Sequence, residues 1–183
     1  TQRTMRTAQQ LYEGIDIGSG AVGLITYMRT DSVNLSQDAL GELRDFIAER
    51  YGVDHLPPQA RLFKTKSKNA QEAHEAIRPT SVGYQPEQIK AHLTNDQARL
   101  YELIWKRTVA CQMAHALLNL VSIDLGCGEG NRFRATGSTI AEPGFMRVYL
   151  EGRDDVNRAA HDEERMLPDL KQGQTVELVA IRP

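Results

Sequence analysis

The chain has 183 residues, and its 22 Lys+Arg against 24 Asp+Glu give a formal net charge of −2. Apolar residues at 40% and charged residues at 25% are globular proportions, and the longest apolar run, Ala21 to Met28, falls far short of the ~20 residues of a bilayer span, so a membrane span is excluded. The charge balance also excludes a uniformly basic nucleic-acid coat protein, but it leaves room for a local basic surface, because phosphate binding needs clustered charge.

In chain order, residues 1–115 read as mostly helical. Thr4 to Glu13 places Met5, Ala8, Leu11 and Tyr12 at helical spacing on one face. Gly14 to Gly23 reads as a flexible glycine-rich link, and Leu24-Ile25-Thr26-Tyr27 has strand-like composition. Ser36 predicts the N-cap of a helix carrying Leu40, Leu43, Ile47 and Tyr51, with Gly52 as its stop. Leu56-Pro57-Pro58 breaks the chain before a basic stretch, Arg61 to Lys68. Asn69 would cap a short helix, Ala70 to Ile77, closed by Pro79. Pro86 suits the first turn of another short helix. Thr94 would cap the longest one, buried through Leu100, Leu103, Ile104, Val109 and Ala110.

After residue 115 the texture changes to strands: Leu117 to Leu125, Arg132 to Ile140, Phe145 to Leu150 and Thr175 to Ile181, with a charged loop over 151–165. The fold class expected is α+β, a mainly helical domain over 1–115 followed by a β-rich, partial domain over 116–183. The chain opens without a signal-peptide pattern, inside a helical pattern and on Thr1 rather than Met, which predicts a segment of something longer. Cys111 and Cys127 form neither a CxxC pair nor a disulfide framework, which argues against zinc in this chain and for a reducing cytoplasm.

Two glycine-rich stretches invite cofactor readings. Gly18-Ser19-Gly20-Ala21-Val22-Gly23 fits GxGxxG, but a dinucleotide site needs a helix next, so that the pyrophosphate meets its free N–H groups, and the following residues have little helical periodicity. Ile123-Asp124-Leu125-Gly126-Cys127-Gly128-Glu129-Gly130 looks like the first motif of S-adenosylmethionine methyltransferases, but no crossover helix follows. A tight turn between antiparallel strands explains those glycines without a ligand. Methyltransferase stays as an alternative class.

The chemistry concentrates in two other stretches. In Thr26-Tyr27-Met28-Arg29-Thr30-Asp31-Ser32, an extended backbone would turn Tyr27 and Arg29 to one side. A phenol beside a guanidinium suits phosphoryl transfer: the tyrosine, with a reference pKa near ~10, needs help to act, and arginine can hold a phosphate and offset its growing charge. In Gln71-Glu72-Ala73-His74-Glu75-Ala76-Ile77-Arg78-Pro79, His74 and Arg78 would share a helix face, and four basic residues with no acid among them, Arg61, Lys64, Lys66 and Lys68, come before. Each stretch alone also fits a buried tyrosine with an arginine at its rim, or a solvated polar helix.

Together, in this order, TYMRTDS and QEAHEAIRP closely resemble the bacterial DNA topoisomerase I family, the type IA topoisomerases. The opening Met5-Arg6-Thr7-Ala8-Gln9-Gln10-Leu11-Tyr12-Glu13-Gly14, then Leu103 to Arg107, Ala110 to Met113, Ala135-Thr136-Gly137 and Pro143-Gly144-Phe145, extend the resemblance over nearly all of the chain.

The resemblance implies that Tyr27 attacks a DNA phosphodiester and becomes joined to the 5′-phosphate. Arg29 would position that phosphate, and His74 would serve DNA binding and the active site. It implies single-strand cleavage, strand passage and religation without ATP, on single-stranded and negatively supercoiled DNA, with Arg29, Arg61, Lys64, Lys66, Lys68 and Arg78 as DNA contacts. It places the work in the bacterial cytoplasm, at the nucleoid. Mg²⁺ would be bound outside this chain, on an N-terminal Toprim domain that the sequence does not include, and no metal site is expected here. The resemblance likewise places C-terminal DNA-binding modules outside this chain, and the β-rich part would correspond to the family's arch and hinge. A rival reading from another class is a DNA-binding or interaction module without catalysis, in which Tyr27 is buried.

Overall fold

Helices and two small antiparallel sheets make up an α+β fold. In the computed structural model of the chain, the described residues are 2–18, 20–63, 74–150, 167–168, 170–177 and 179–180. They fall into two units, one formed by residues 1–115 with Gly144–Leu150, the other by Ala116–Pro143 and the residues from 151 onward.

The first unit is built on α1 (Gln2–Glu13), α2 (Gln37–Tyr51), the short α3 (Pro86–Ile89) and α4 (Asn95–Cys111). Both long-helix starts follow from their caps. The Ser36 hydroxyl accepts from Ala39 N, and Thr94 forms a reciprocal capping box with Gln97. Gly52 ends α2, its N–H returning to Ala48 O. Leu11, Leu24, Ile25, Ile47, Val109 and Met113 are buried almost completely, each stabilising the unit by roughly 1.5–3 kcal/mol. Two core aromatics also satisfy their polar atoms on the loop before α3: Tyr101 Oη donates to Tyr84 O at 2.6 Å and Trp105 Nε1 to Val82 O at 3.0 Å.

The apolar faces expected of α1 and α4 are turned from where periodicity puts them. On α1, Thr7, Ala8 and Leu11 are buried, whereas Met5 and Tyr12 are exposed. On α4 the buried set is Tyr101, Trp105, Thr108, Val109 and Ala110, with Leu103 exposed and Leu100 and Ile104 partly buried. The aromatic rings claim the core side of α4, and Met5, Leu103 and Ile104 instead line an apolar recess of about 510 Å³ together with Met28, Val33 and Phe63.

The glycine-rich link is a small hairpin, β1 (Ile15–Asp16) against β2 (Ala21–Val22), with Asp16 Oδ1 accepting from the amides of Gly18 and Gly20. Nothing helical follows it, so no dinucleotide cradle forms. The expected strand at 24–27 is reduced to one bridge, Ile25 opposite Pro79.

The second unit holds β3 (Leu117–Cys127) paired with β4 (Asn131–Glu142), joined by a turn in which Gly128 and Gly130 take φ of 63° and 80°. A direct antiparallel return leaves no place for the crossover helix of a methyltransferase, and that alternative is set aside. Phe145 to Leu150 is not a strand: Gly144–Arg147 is a 3₁₀ turn. Gly144 adopts φ +47° where a Cβ would collide with the His115 carbonyl, and Phe145 and Val148, three apart, pack on the helical core. Residues 175–177 and 179–180 form no strand either, having no pairing partner among the described residues. Among the described residues, no helix is long and apolar enough to cross a membrane.

Candidate active site

Two segments of the first unit are laced together by their own polar groups. Thr26 N donates to Arg78 O at 2.9 Å and Thr80 N to Leu24 O at 3.1 Å. The Thr26 hydroxyl donates to Ala76 O at 2.8 Å and accepts from Arg78 N at 3.0 Å. Farther along, Ala76 N donates to Asn34 O at 2.8 Å, and the Ser32 hydroxyl donates to His74 O. This pairing keeps residues 74–77 out of a helix, as does Pro79, which disfavours helical backbone at Arg78. The expected helix over Ala70 to Ile77 is therefore absent at 74–77, and residues 70–73 lie outside the described residues.

His74 and Arg78 consequently do not act as one helix face. His74 Nδ1 lies 3.3 Å from Asp31 Oδ2, and Arg29 Nη2 lies 3.2 Å from the same oxygen. Burial pushes the Asp31 carboxyl up, but the Arg29 guanidinium and the His74 hydrogen bond outweigh it and hold the group below its ordinary range. An ionised Asp31 accepts at Nδ1–H, which leaves His74 Nε2 as the ring nitrogen open to a further partner.

Arg78 turns the other way. It makes a two-pronged pair with Glu75, at 2.8 and 3.1 Å, and donates to Pro79 O at 2.7 Å. Glu75 in turn accepts from Ser36 N at 3.0 Å, tying this segment to the start of α2. An expected DNA contact thus has its guanidinium engaged inside the fold, its side chain 15% exposed.

Tyr27 is 56% exposed, against the buried tyrosine of the rival reading. It is not part of a plain extended strand: Arg29 N donates to Tyr27 O at 3.0 Å across a three-residue turn. The two side chains take different partners, Arg29 on Asp31 and Tyr27 edge-on to Tyr12, their ring centroids 5.2 Å apart. Arg61 is fixed through its backbone, Gln112 accepting from its N–H and donating to its carbonyl, both at 3.0 Å. Lys64, Lys66 and Lys68 lie outside the described residues.

Sequence reasoning missed Asp31 and Tyr12. Asp31 stands two residues from Arg29 within the quoted motif, and a carboxylate so close to a guanidinium was the available signal. Tyr12 shares the helical spacing of Met5, Ala8 and Leu11, which marks a helix face and not a site.

The donor chemistry among the described residues does not fit Mg²⁺. Among the described residues, no three His, Cys, Asp or Glu side chains gather to hold a metal ion. Asp31 Oδ2 already faces an arginine and a histidine.

Comparison with known proteins fits these features to one family. The family model for DNA topoisomerase matches residues 1–182. DNA topoisomerase 1 of Xylella fastidiosa (strain Temecula1) is 57% identical over 182 residues, 99% of this chain and 22% of that protein. DNA topoisomerase 1 of Rickettsia conorii is 50% identical, over 100% of this chain and 23% of that protein. The solved full-length topoisomerase I of Thermotoga maritima superposes with a TM-score of 0.62 at 38% identity, covering 82% of this chain and 23% of that one. The chain thus spans about a fifth of the length of the curated relatives it matches, and it belongs to the bacterial DNA topoisomerase I (type IA) family.

Proposed function

We propose that these residues carry the nucleophile of a type IA DNA topoisomerase, with Tyr27 attacking a phosphodiester of one DNA strand. The observation that carries this reading is Asp31 Oδ2 taking both Arg29 and His74, four residues beyond an exposed Tyr27. The Tyr27 oxygen forms a bond to phosphorus and loses its proton, while the bond to the 3′-oxygen breaks and that oxygen gains one. One phosphodiester is exchanged for another, so religation needs no ATP. Arg29, fixed by Asp31 yet 46% exposed at its side chain, can turn donors to the phosphate and offset charge growing on it. His74 presents Nε2 to the same negative charge.

The substrates in this reading are single-stranded and negatively supercoiled DNA, bound also through Arg61 and the lysines at 64, 66 and 68. Residues 1–115 with Gly144–Leu150 serve as the tyrosine domain, and the second unit as part of the arch and hinge. The partners within the whole protein are a Toprim domain and C-terminal DNA-binding modules, and the setting is the bacterial cytoplasm at the nucleoid. In this reading Mg²⁺ belongs to the Toprim domain.

Relaxation of a negatively supercoiled plasmid by the full-length protein containing this chain tests the reading. Tyr27→Phe should abolish relaxation while leaving the melting temperature unchanged. Relaxation by the Phe variant at the normal rate would refute it.

A further inference from the structure

We propose that Tyr12 is a positioning residue for the Tyr27 ring, an inference that rests on Tyr27 being the nucleophile. Tyr12 occupies the last turn of α1, and the backbone leading to Tyr27 is locked onto that turn. Leu24 N donates to Leu11 O at 2.7 Å. Gly23 approaches so closely that a Cβ there would stand 2.7 Å from Tyr12 O. From the other side, the Thr80 hydroxyl donates to Gly23 O at 2.7 Å. With the backbone fixed, the Tyr12 ring meets the Tyr27 ring at 66° with centroids 5.2 Å apart, an edge-to-face contact.

Neither ring belongs to the core: Tyr12 is 40% and Tyr27 56% exposed. Their contact therefore does little to hold the fold, which at this point is anchored by the fully buried Leu11 and Leu24. What it does is limit the rotation of a surface phenol. A nucleophile that must meet phosphorus in line with the leaving oxygen gains from such restriction, because misplacement by about 1 Å can cost on the order of 100-fold in rate. The ring of Tyr12, rather than its hydroxyl, supplies the contact.

The test uses the full-length protein and single-turnover formation of the covalent adduct on a single-stranded oligonucleotide at varied concentration. Tyr12→Leu is expected to lower the saturating rate by roughly fivefold to tenfold, with half-saturation and melting temperature unchanged, and Tyr12→Phe to restore the rate. A saturating rate unaltered in the Leu variant would overturn the proposal. So would a Phe variant as slow as Leu, or a Leu variant whose melting temperature and DNA binding fall along with its rate. Tyr27→Phe runs beside them: an adduct that survives in that variant removes Tyr27 as nucleophile, a failure distinct from that of Tyr12.

Discussion

Asp31 and His74, 43 residues apart in sequence, meet through Oδ2 and Nδ1 at 3.3 Å, and Arg29 shares the same carboxylate oxygen. One carboxylate thereby fixes an arginine from the tyrosine segment and a histidine from the other. The meeting is enforced by backbone pairing rather than by the ion pair alone, since Thr26, Ser32 and Asn34 all bond to residues 74–78.

Asp31→Asn keeps the shape of the side chain and removes the charge that holds both groups. The full-length variant should fold normally and form its covalent adduct roughly 10- to 100-fold more slowly. Single-turnover kinetics check this, and a rate within twofold of the parent protein would contradict it.

Asp31 and Glu75 predict acid lability. Burial raises both carboxyls, but Arg29 and His74 outweigh it for the first, and Arg78 and Ser36 for the second, so both are held below their ordinary values. A group whose folded value is depressed stabilises the fold above its unfolded value and loses that contribution as pH falls through the folded one. The melting temperature should therefore begin to drop as pH falls through the ordinary carboxylate range, about pH 4, and continue dropping below it. The drop should be shallower in Glu75→Gln; an equally steep one would count against the pairing.

Arg78 and Arg61 should separate structure from DNA contact. Arg78→Ala leaves the partly buried Glu75 without its partner, and is expected to cost about 2 kcal/mol of stability. The slope of single-stranded DNA affinity against salt should stay unchanged in that variant. Arg61→Ala should instead lower the slope by about one while sparing stability. Denaturant titration and fluorescence anisotropy give the two readouts, and the opposite pattern would reverse the assignment.

Much of this was legible in the sequence where a local signal decides the structure. Ser36, Gly52, Thr94 and Pro86 mark helix ends through bonds they make within a few residues, and those ends stand as read. The β3–β4 hairpin followed from its turn and composition. What failed depends on distant partners. Residues 74–77 carry helix-forming side chains but pair with the Tyr27 segment, and Phe145 and Val148 pack on helices rather than alternate in a sheet. The site shows the same division. TYMRTDS sets Tyr27, Arg29 and Asp31 close together in the chain, but a partner across 43 residues, as His74 is to Asp31, has no local signature.

The 183-residue chain alone should bind single-stranded DNA weakly, with affinity falling steeply as salt rises, and should relax no supercoiled plasmid with or without Mg²⁺. Anisotropy that does not change with salt, or relaxation by the purified chain, would contradict this.

The most direct test of the central claim is covalent capture. The full-length protein, intact or with Tyr27→Phe, is incubated with 3′-end-labelled single-stranded DNA and Mg²⁺, quenched with denaturant and run on a protein gel. A 5′-phosphotyrosyl bond at Tyr27 predicts label migrating with the intact protein and none with the Phe variant. Label of equal strength on the Phe variant, or none on either protein, would contradict it.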